Sequence, residues 1–153
     1  MKKVFIILCV LIFSIFLVSC KKEIKFNMEE LSEEMILKMK EDYIKEVAET
    51  ADSVDDLWIR YYYGKYGDSY AFVISESGLA YADAEWGEKV AGITIIYPSM
   101  GPYIHMYNNG KFYRLQEAYD KGLMNEESLT KLIEVKNNTT KFYDKKYNEI
   151  IKK

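Results

Sequence analysis

Leu57-Trp58-Ile59-Arg60-Tyr61-Tyr62-Tyr63, then Gly64-Lys65-Tyr66-Gly67-Asp68, then Ser69-Tyr70-Ala71-Phe72-Val73-Ile74 is the stretch whose reading decides the fold class. Leu57, Ile59, Tyr61 and Tyr63 alternate with Trp58, Arg60 and Tyr62, and Tyr70, Phe72 and Ile74 alternate on the return. A period of two sends successive side chains to opposite faces of a strand, so the pattern predicts a β-hairpin turned at Gly64–Asp68. Ser77-Gly78 predicts a further turn into a strand at Leu79–Ala82, and Asp83–Glu88 an acidic connection. Val90–Tyr97 is the most β-prone run of the chain and Pro98 stops it. Pro98-Ser99-Met100-Gly101-Pro102 reads as a rigid, irregular loop. Tyr103–Tyr107 and Lys111–Leu115 flank Asn108-Asn109-Gly110, and Asn-Gly between alternating segments is a strong hairpin signal.

Outward from this β region the period becomes helical. Within Met28–Thr50, Leu31, Met35, Ile36, Met39, Tyr43 and Val47 recur at helical spacing, with Asn27 and Glu30 placed as a capping box and Phe26 and Leu31 as a staple. Leu115–Lys121 predicts one or two turns ended by Gly122 in a left-handed cap. Asn125 caps a next helix striped by Leu129, Leu132 and Ile133. Phe142, Tyr143, Tyr147, Ile150 and Ile151 suggest a last amphipathic helix. One N-terminal helix, about five antiparallel strands and two or three C-terminal helices make an α+β chain. Helices covering one sheet face, a two-layer sandwich, are the expected way to bury these elements.

The N-terminus carries a separate message. Met1-Lys2-Lys3 is basic, Val4–Val18 is fifteen almost unbroken apolar residues, and Leu17-Val18-Ser19-Cys20 closes the segment. A membrane-spanning helix needs about twenty apolar residues, and a run of fifteen suits the core of a signal peptide instead. The closing tetrapeptide resembles the lipobox of bacterial lipoproteins. That resemblance implies cleavage between Ser19 and Cys20, a diacylglyceryl group (with palmitate-type acyl chains) on the Cys20 sulfur, and a place in the bacterial cell envelope outside the cytoplasm. Residues 1–19 are then a signal peptide, 20–25 the lipidated cysteine with a short linker, and 26–153 one domain. The run Asn109–Val135 also resembles a closing unit of uncharacterised bacterial proteins, and Gly122–Leu129 is similar to C-terminal helical modules of the Gly-Leu-Leu-Thr-x-Glu-Glu type.

Cleavage removes Lys2 and Lys3 and leaves 19 of 21 basic residues against all 24 acidic ones, a net of −5. Such a surface is repelled by nucleic acid and by anionic headgroups, so the membrane is engaged through the lipid alone. With Cys9 lost and Cys20 lipidated, the domain keeps no thiol for a disulfide, a zinc site or a nucleophile. Its 134 residues suffice for one core without staples.

Catalytic constellations are missing. His105 is the one histidine and no Gly-x-Ser-x-Gly elbow accompanies it. A lone histidine in a strand reads as hydrogen-bonded or solvent-facing rather than as a base or metal ligand. Asp83, Glu85 and Glu88 cluster around Trp86-Gly87 but lack EF-hand spacing, and read as a solvated acidic loop. Asp55 and Asp56 paired with Asp83 or Glu85 would make a glycosidase-type dyad, which requires two carboxylates about 5–9 Å apart. Nothing calls for a metal or a cofactor.

Tyrosine is the unusual component, with fourteen residues beside Trp58 and Trp86. Cross-strand packing accounts for many of them. A sheet covered on one face leaves others exposed, and Trp58, Arg60, Tyr62, Tyr103, His105 and Tyr107 are expected to form an aromatic platform for a protein, peptide or glycan. The sequence therefore points to a lipid-anchored, non-enzymatic binding or accessory module. The alternatives are an inhibitor or immunity-type lipoprotein that blocks a hydrolase, and a small envelope hydrolase using Asp83, Glu85 and Glu88.

Overall fold

The alternating segments pair into an antiparallel sheet in the computed structural model, which describes residues 23–76, 86–97, 103–138, 141–143 and 150–152. The elements are β1 (Phe26–Asn27), α1 (Glu33–Glu46), a 3-10 turn (Val54–Asp56), β2 (Leu57–Tyr66), β3 (Ser69–Glu76), β4 (Trp86–Val90), β5 (Ile93–Tyr97), β6 (Ile104–Asn108), β7 (Lys111–Arg114), α2 (Leu115–Asp120), α3 (Glu126–Asn138), β8 (Lys141–Tyr143) and β9 (Ile150–Lys152). Five strands form one sheet in the order β1-β2-β3-β6-β7, while β4–β5 and β8–β9 are separate ribbons. The chain is α+β, with one N-terminal and two C-terminal helices around the sheet.

Both faces of the sheet are covered. α1 lays Ile36, Met39 and Tyr43 on Ile59, Tyr62, Phe72, Ile74 and Tyr107. On the other face, Leu115 and Ala118 of α2, Leu129 and Leu132 of α3, and Val90, Ile95 and Tyr97 of the β4–β5 ribbon close over Ala71, Val73, Ile104 and Met106. Each fully buried aliphatic side chain contributes about 1.5–3 kcal/mol, so the two half-cores supply most of the stabilisation of the described residues.

Register decides which residues reach which face. The ladder of β2 with β3 shifts between Ile59 and Tyr61 and again between Tyr62 and Gly64. Each bulge inserts one residue and inverts the alternation beyond it. Leu57, Ile59 and Tyr62 consequently face α1, whereas Tyr61 and Tyr63 stack on the opposite face with ring centroids 6.0 Å apart. Strict alternation had grouped Leu57, Ile59, Tyr61 and Tyr63. At the second bulge Gly64 has φ +105°, and a Cβ there would lie 2.5 Å from Cε2 of Phe26. Glycine is needed for both reasons, because β1 packs its phenyl ring onto bare backbone.

Several elements differ from expectation for identifiable reasons. β2 runs through Tyr66 and turns only at Gly67-Asp68, because Lys65 and Tyr66 pair with Asn27 and Phe26. That pairing withdraws Asn27 from capping. The first helix starts at Glu33, with the Ser32 hydroxyl accepting from the Met35 amide at 3.1 Å. It ends at Glu46 rather than Thr50, because the Glu76 carboxylate takes the next amides. Glu49, Thr50 and Ala51 donate their N–H groups to it at 2.9, 2.7 and 2.9 Å, and the Thr50 hydroxyl adds 2.8 Å. The run Val90–Tyr97 is broken by a turn at Ala91 (φ 48°) and Gly92 (φ 83°), and the Ala91 amide donates to Gln116 Oε1 at 2.9 Å. The last segment forms the β8–β9 ladder rather than a helix, in keeping with the β-preference of Phe142, Tyr143, Ile150 and Ile151.

Other local signals hold. Asn109 and Gly110 adopt φ of 49° and 80° between β6 and β7. Gly122 takes φ 70° after α2, and Asn125 Oδ1 accepts from the Ser128 amide at 2.8 Å. The strand expected at Leu79–Ala82, the loop Pro98–Pro102 and the whole segment around Ser19 and Cys20 lie outside the described residues. Among those described, no helix is long and apolar enough to cross a membrane.

Candidate aromatic binding site

Trp86 and Tyr97 stand directly opposite each other in the β4–β5 ladder, and this register stacks their rings at 4.5 Å with 14° between planes. Tyr103, just before β6, meets Trp86 edge to face at 4.6 Å and 78°. Arg114, the last residue of β7, places its guanidinium carbon 3.0 Å from the Tyr103 ring centroid. Glu88, two residues along β4 from Trp86, accepts a hydrogen bond from the Tyr97 hydroxyl at 3.1 Å. The Lys136 ammonium of α3 lies 5.7 Å from the Tyr97 ring centroid on the same corner of the molecule. Tyr97 is buried, Trp86, Glu88 and Tyr103 are half-buried, and Arg114 is exposed.

The electrostatics follow from this packing. Burial raises the Glu88 carboxyl above its usual range, although the Tyr97 hydrogen bond and the charge of Arg114 oppose the shift. Burial, and then the neighbouring Glu88, push the Tyr97 phenol upward. Burial lowers the Lys136 ammonium. The corner thus combines aromatic surface, a guanidinium that can take a carboxylate or phosphate in bidentate fashion, and a half-buried carboxyl held by the Tyr97 hydroxyl. Among the described residues, no group of three or more His, Cys, Asp or Glu side chains is placed to hold a metal ion.

The six residues expected to form one platform are distributed over three places. Tyr62, His105 and Tyr107 are buried under α1. His105 lies edge-on to the Tyr43 ring at 5.8 Å and to Phe112 at 6.2 Å, while the Tyr107 hydroxyl donates to Asp42 Oδ2 at 2.7 Å. Trp58 precedes the first bulge, so it stands on the other face from Tyr62, and Arg60 is the residue the bulge inserts. There the Arg60 guanidinium carbon is 4.4 Å from the Trp58 ring centroid, and Arg60 Nε donates to Ser75 Oγ at 3.0 Å. Only Tyr103 belongs to the corner cluster. Glu88 lies in a strand rather than in a loop, and Asp83 and Glu85 lie outside the described residues. Asp55 and Asp56 belong to the 3-10 turn before β2, where the Asp55 amide donates to Ser53 Oγ at 3.2 Å.

Sequence reasoning missed Tyr97 and Arg114 as site residues and used Trp86 only as a landmark. A turn signal at Ala91-Gly92 was the available clue, because Trp86 and Tyr97 sit symmetrically about it. An open groove of about 1270 Å³ lies elsewhere, between Ile24, Phe26, Tyr119 and Met124. Its charged rim has local explanations. Glu126 and Glu127 occupy the first turn of α3, where the helix dipole favours carboxylates, and Lys131 pairs with Glu134 at 3.1 Å.

No family model matches the chain, and no curated protein or solved structure matches it either.

Proposed function

We propose that the chain is a non-enzymatic binding or accessory module of the bacterial cell envelope, tethered by lipid on Cys20, that engages its ligand at the Trp86–Tyr103–Arg114 corner. The cluster itself carries the reading: a guanidinium over a half-exposed tyrosine, backed by a tryptophan stack, is a preformed recognition surface of low conformational entropy. The lipobox-like Leu17–Cys20 segment and a thiol-free remainder support the tether. A peptide or glycan bearing a carboxylate fits the pairing of Arg114 with aromatic surface.

The test uses the full chain in the Trp58→Phe background, which leaves Trp86 as the sole tryptophan reporter. Envelope glycan fragments and acidic peptides are titrated while its emission is followed. A saturable change is expected, and Tyr103→Ala or Arg114→Ala should weaken it by about 10-fold or more, the size of a hot-spot truncation. Unchanged affinity in both variants removes the corner as the site. For the tether, Cys20→Ser should move the protein from the membrane to the soluble fraction.

A further inference from the structure

The β6–β7 hairpin turns on Asn109 and Gly110, so Asn108 and Lys111 close its ladder as a hydrogen-bonded pair. Pairs alternate from there, which points the N–H groups of Phe112 and Arg114 away from β6. β7 is the last strand of its sheet, so both point to an open edge. The Phe112 N–H is taken there by the Glu46 carboxylate of α1, at 3.2 Å. The Arg114 N–H has no acceptor among the described residues. Arg114 is the last residue of β7, and α2 begins at Leu115. One free edge N–H between Glu46 and α2 gives a place for the end of a chain and not for an added strand, which needs a row of such groups.

The Arg114 guanidinium has no ion pair among the described residues either. Glu88, near enough to feel its charge, is bonded to the Tyr97 hydroxyl instead. With one face of the guanidinium against Tyr103, the N–H fork at its rim is left for a ligand. The ring faces are less available. Tyr97 covers one face of Trp86, Arg114 covers one face of Tyr103, and the edge-to-face contact of Trp86 with Tyr103 takes another. Little is left for a sugar ring to stack on.

We propose that the corner takes the carboxy terminus of a peptide: the Arg114 fork holds the terminal carboxylate, the Arg114 N–H bonds a main-chain carbonyl behind it, and the last side chain rests against Trp86 and Tyr103. This rests on the reading of the corner as a binding site. A terminus brings a carbonyl and a carboxylate within the length of one arginine side chain, and hydrogen bonds to the charged group are the stronger ones. Glu46 on Phe112 shows the same edge bonding a carboxylate from within the chain.

The experiment follows Trp86 emission of the full chain in the Trp58→Phe background. The probes are acetyl-Ala-Ala-Ala-Leu with a free carboxy terminus, the same peptide as its amide, acetyl-Ala-Ala-Asp-Ala amide, whose carboxylate is on a side chain, and tetragalacturonate, whose carboxylates are on sugar rings. Saturable binding of the free acid is expected, with both amides weaker by about 10-fold or more. Arg114→Lys, which keeps the charge and loses the fork, should weaken the free acid and leave its amide unchanged. Equal affinity for the free acid and either amide overturns the inference. Binding of tetragalacturonate but not of the peptides, lost in Tyr103→Ala, also overturns it and leaves the corner standing as a glycan site. If none of the four probes changes the emission, the inference and the proposed site fall together.

Discussion

Acidifying this domain from pH 7.5 to 4.5 should destabilise it by roughly 2.5 kcal/mol through His105 alone. The imidazole is 6% exposed, wedged between Tyr43 and Phe112 and directly across the ladder from Arg114. Burial lowers its pKa first and the Arg114 charge second, against a backbone hydrogen bond at Tyr103, from 6.5 to about 4. Because the folded value lies below the unfolded one, the unfolded chain binds the proton more readily between these limits. Folding stability is therefore complete above about pH 6.5 and falls as pH drops, by up to about 1.4 kcal/mol per unit, until the native imidazole itself titrates. For a domain with a typical stability of about 5–15 kcal/mol the effect is large. Urea unfolding followed by tryptophan emission at half-unit pH steps gives the profile for the native chain and for His105→Leu, which keeps an apolar side chain between the two rings. The difference between the curves should grow by roughly 2.5 kcal/mol over the range. Parallel curves, or an imidazole that titrates near 6.5 by NMR, refute the reasoning.

Three further outcomes are expected. Glu76→Gln should cost about 2–3 kcal/mol, because the carboxylate accepts four hydrogen bonds from residues 49–51 and an amide cannot accept them all. Burial alone would raise the Glu76 pKa, but those hydrogen bonds outweigh it and leave it lowered, so its contribution is present above the ordinary carboxylate range and lost as pH falls through the native value. Urea titrations at pH 7 and 3 should show the penalty shrinking at the lower pH. Gly64→Ala should lower stability by about 2 kcal/mol or more, combining positive φ with a clash on Phe26, and hydrogen exchange should show β1 released first. Ala91→Gly should raise stability by about 1 kcal/mol by relieving a left-handed alanine, which a thermal melt detects as a higher Tm.

What proved legible was local. The cap of the first helix was not legible: the spacing pointed to Asn27, and the pairing of Phe26-Asn27 with Lys65-Tyr66 left that role to Ser32. Glu76 looked like an ordinary strand-end carboxylate, although it organises a connection more than twenty residues away. The candidate site draws on β4, β5, the residue before β6 and the end of β7. No spacing rule links Trp86, Tyr97, Tyr103 and Arg114 before these strands are placed.

The sequence by itself determined the α+β class, the Asn109-Gly110 turn, the Gly122 cap and the Asn125 cap, because side-chain periodicity and backbone φ preferences act over a few residues. Tertiary structure decided which aromatic residues face outward. A strand's faces are assigned by counting from its partners, and the shift between Ile59 and Tyr61 is enough to turn Tyr62 under α1 while Trp58 stays on the other side. One inserted residue parted Trp58 from Tyr62, α1 covered Tyr62, His105 and Tyr107, and the corner cluster around Tyr103 was assembled by long-range pairing that local preferences do not encode.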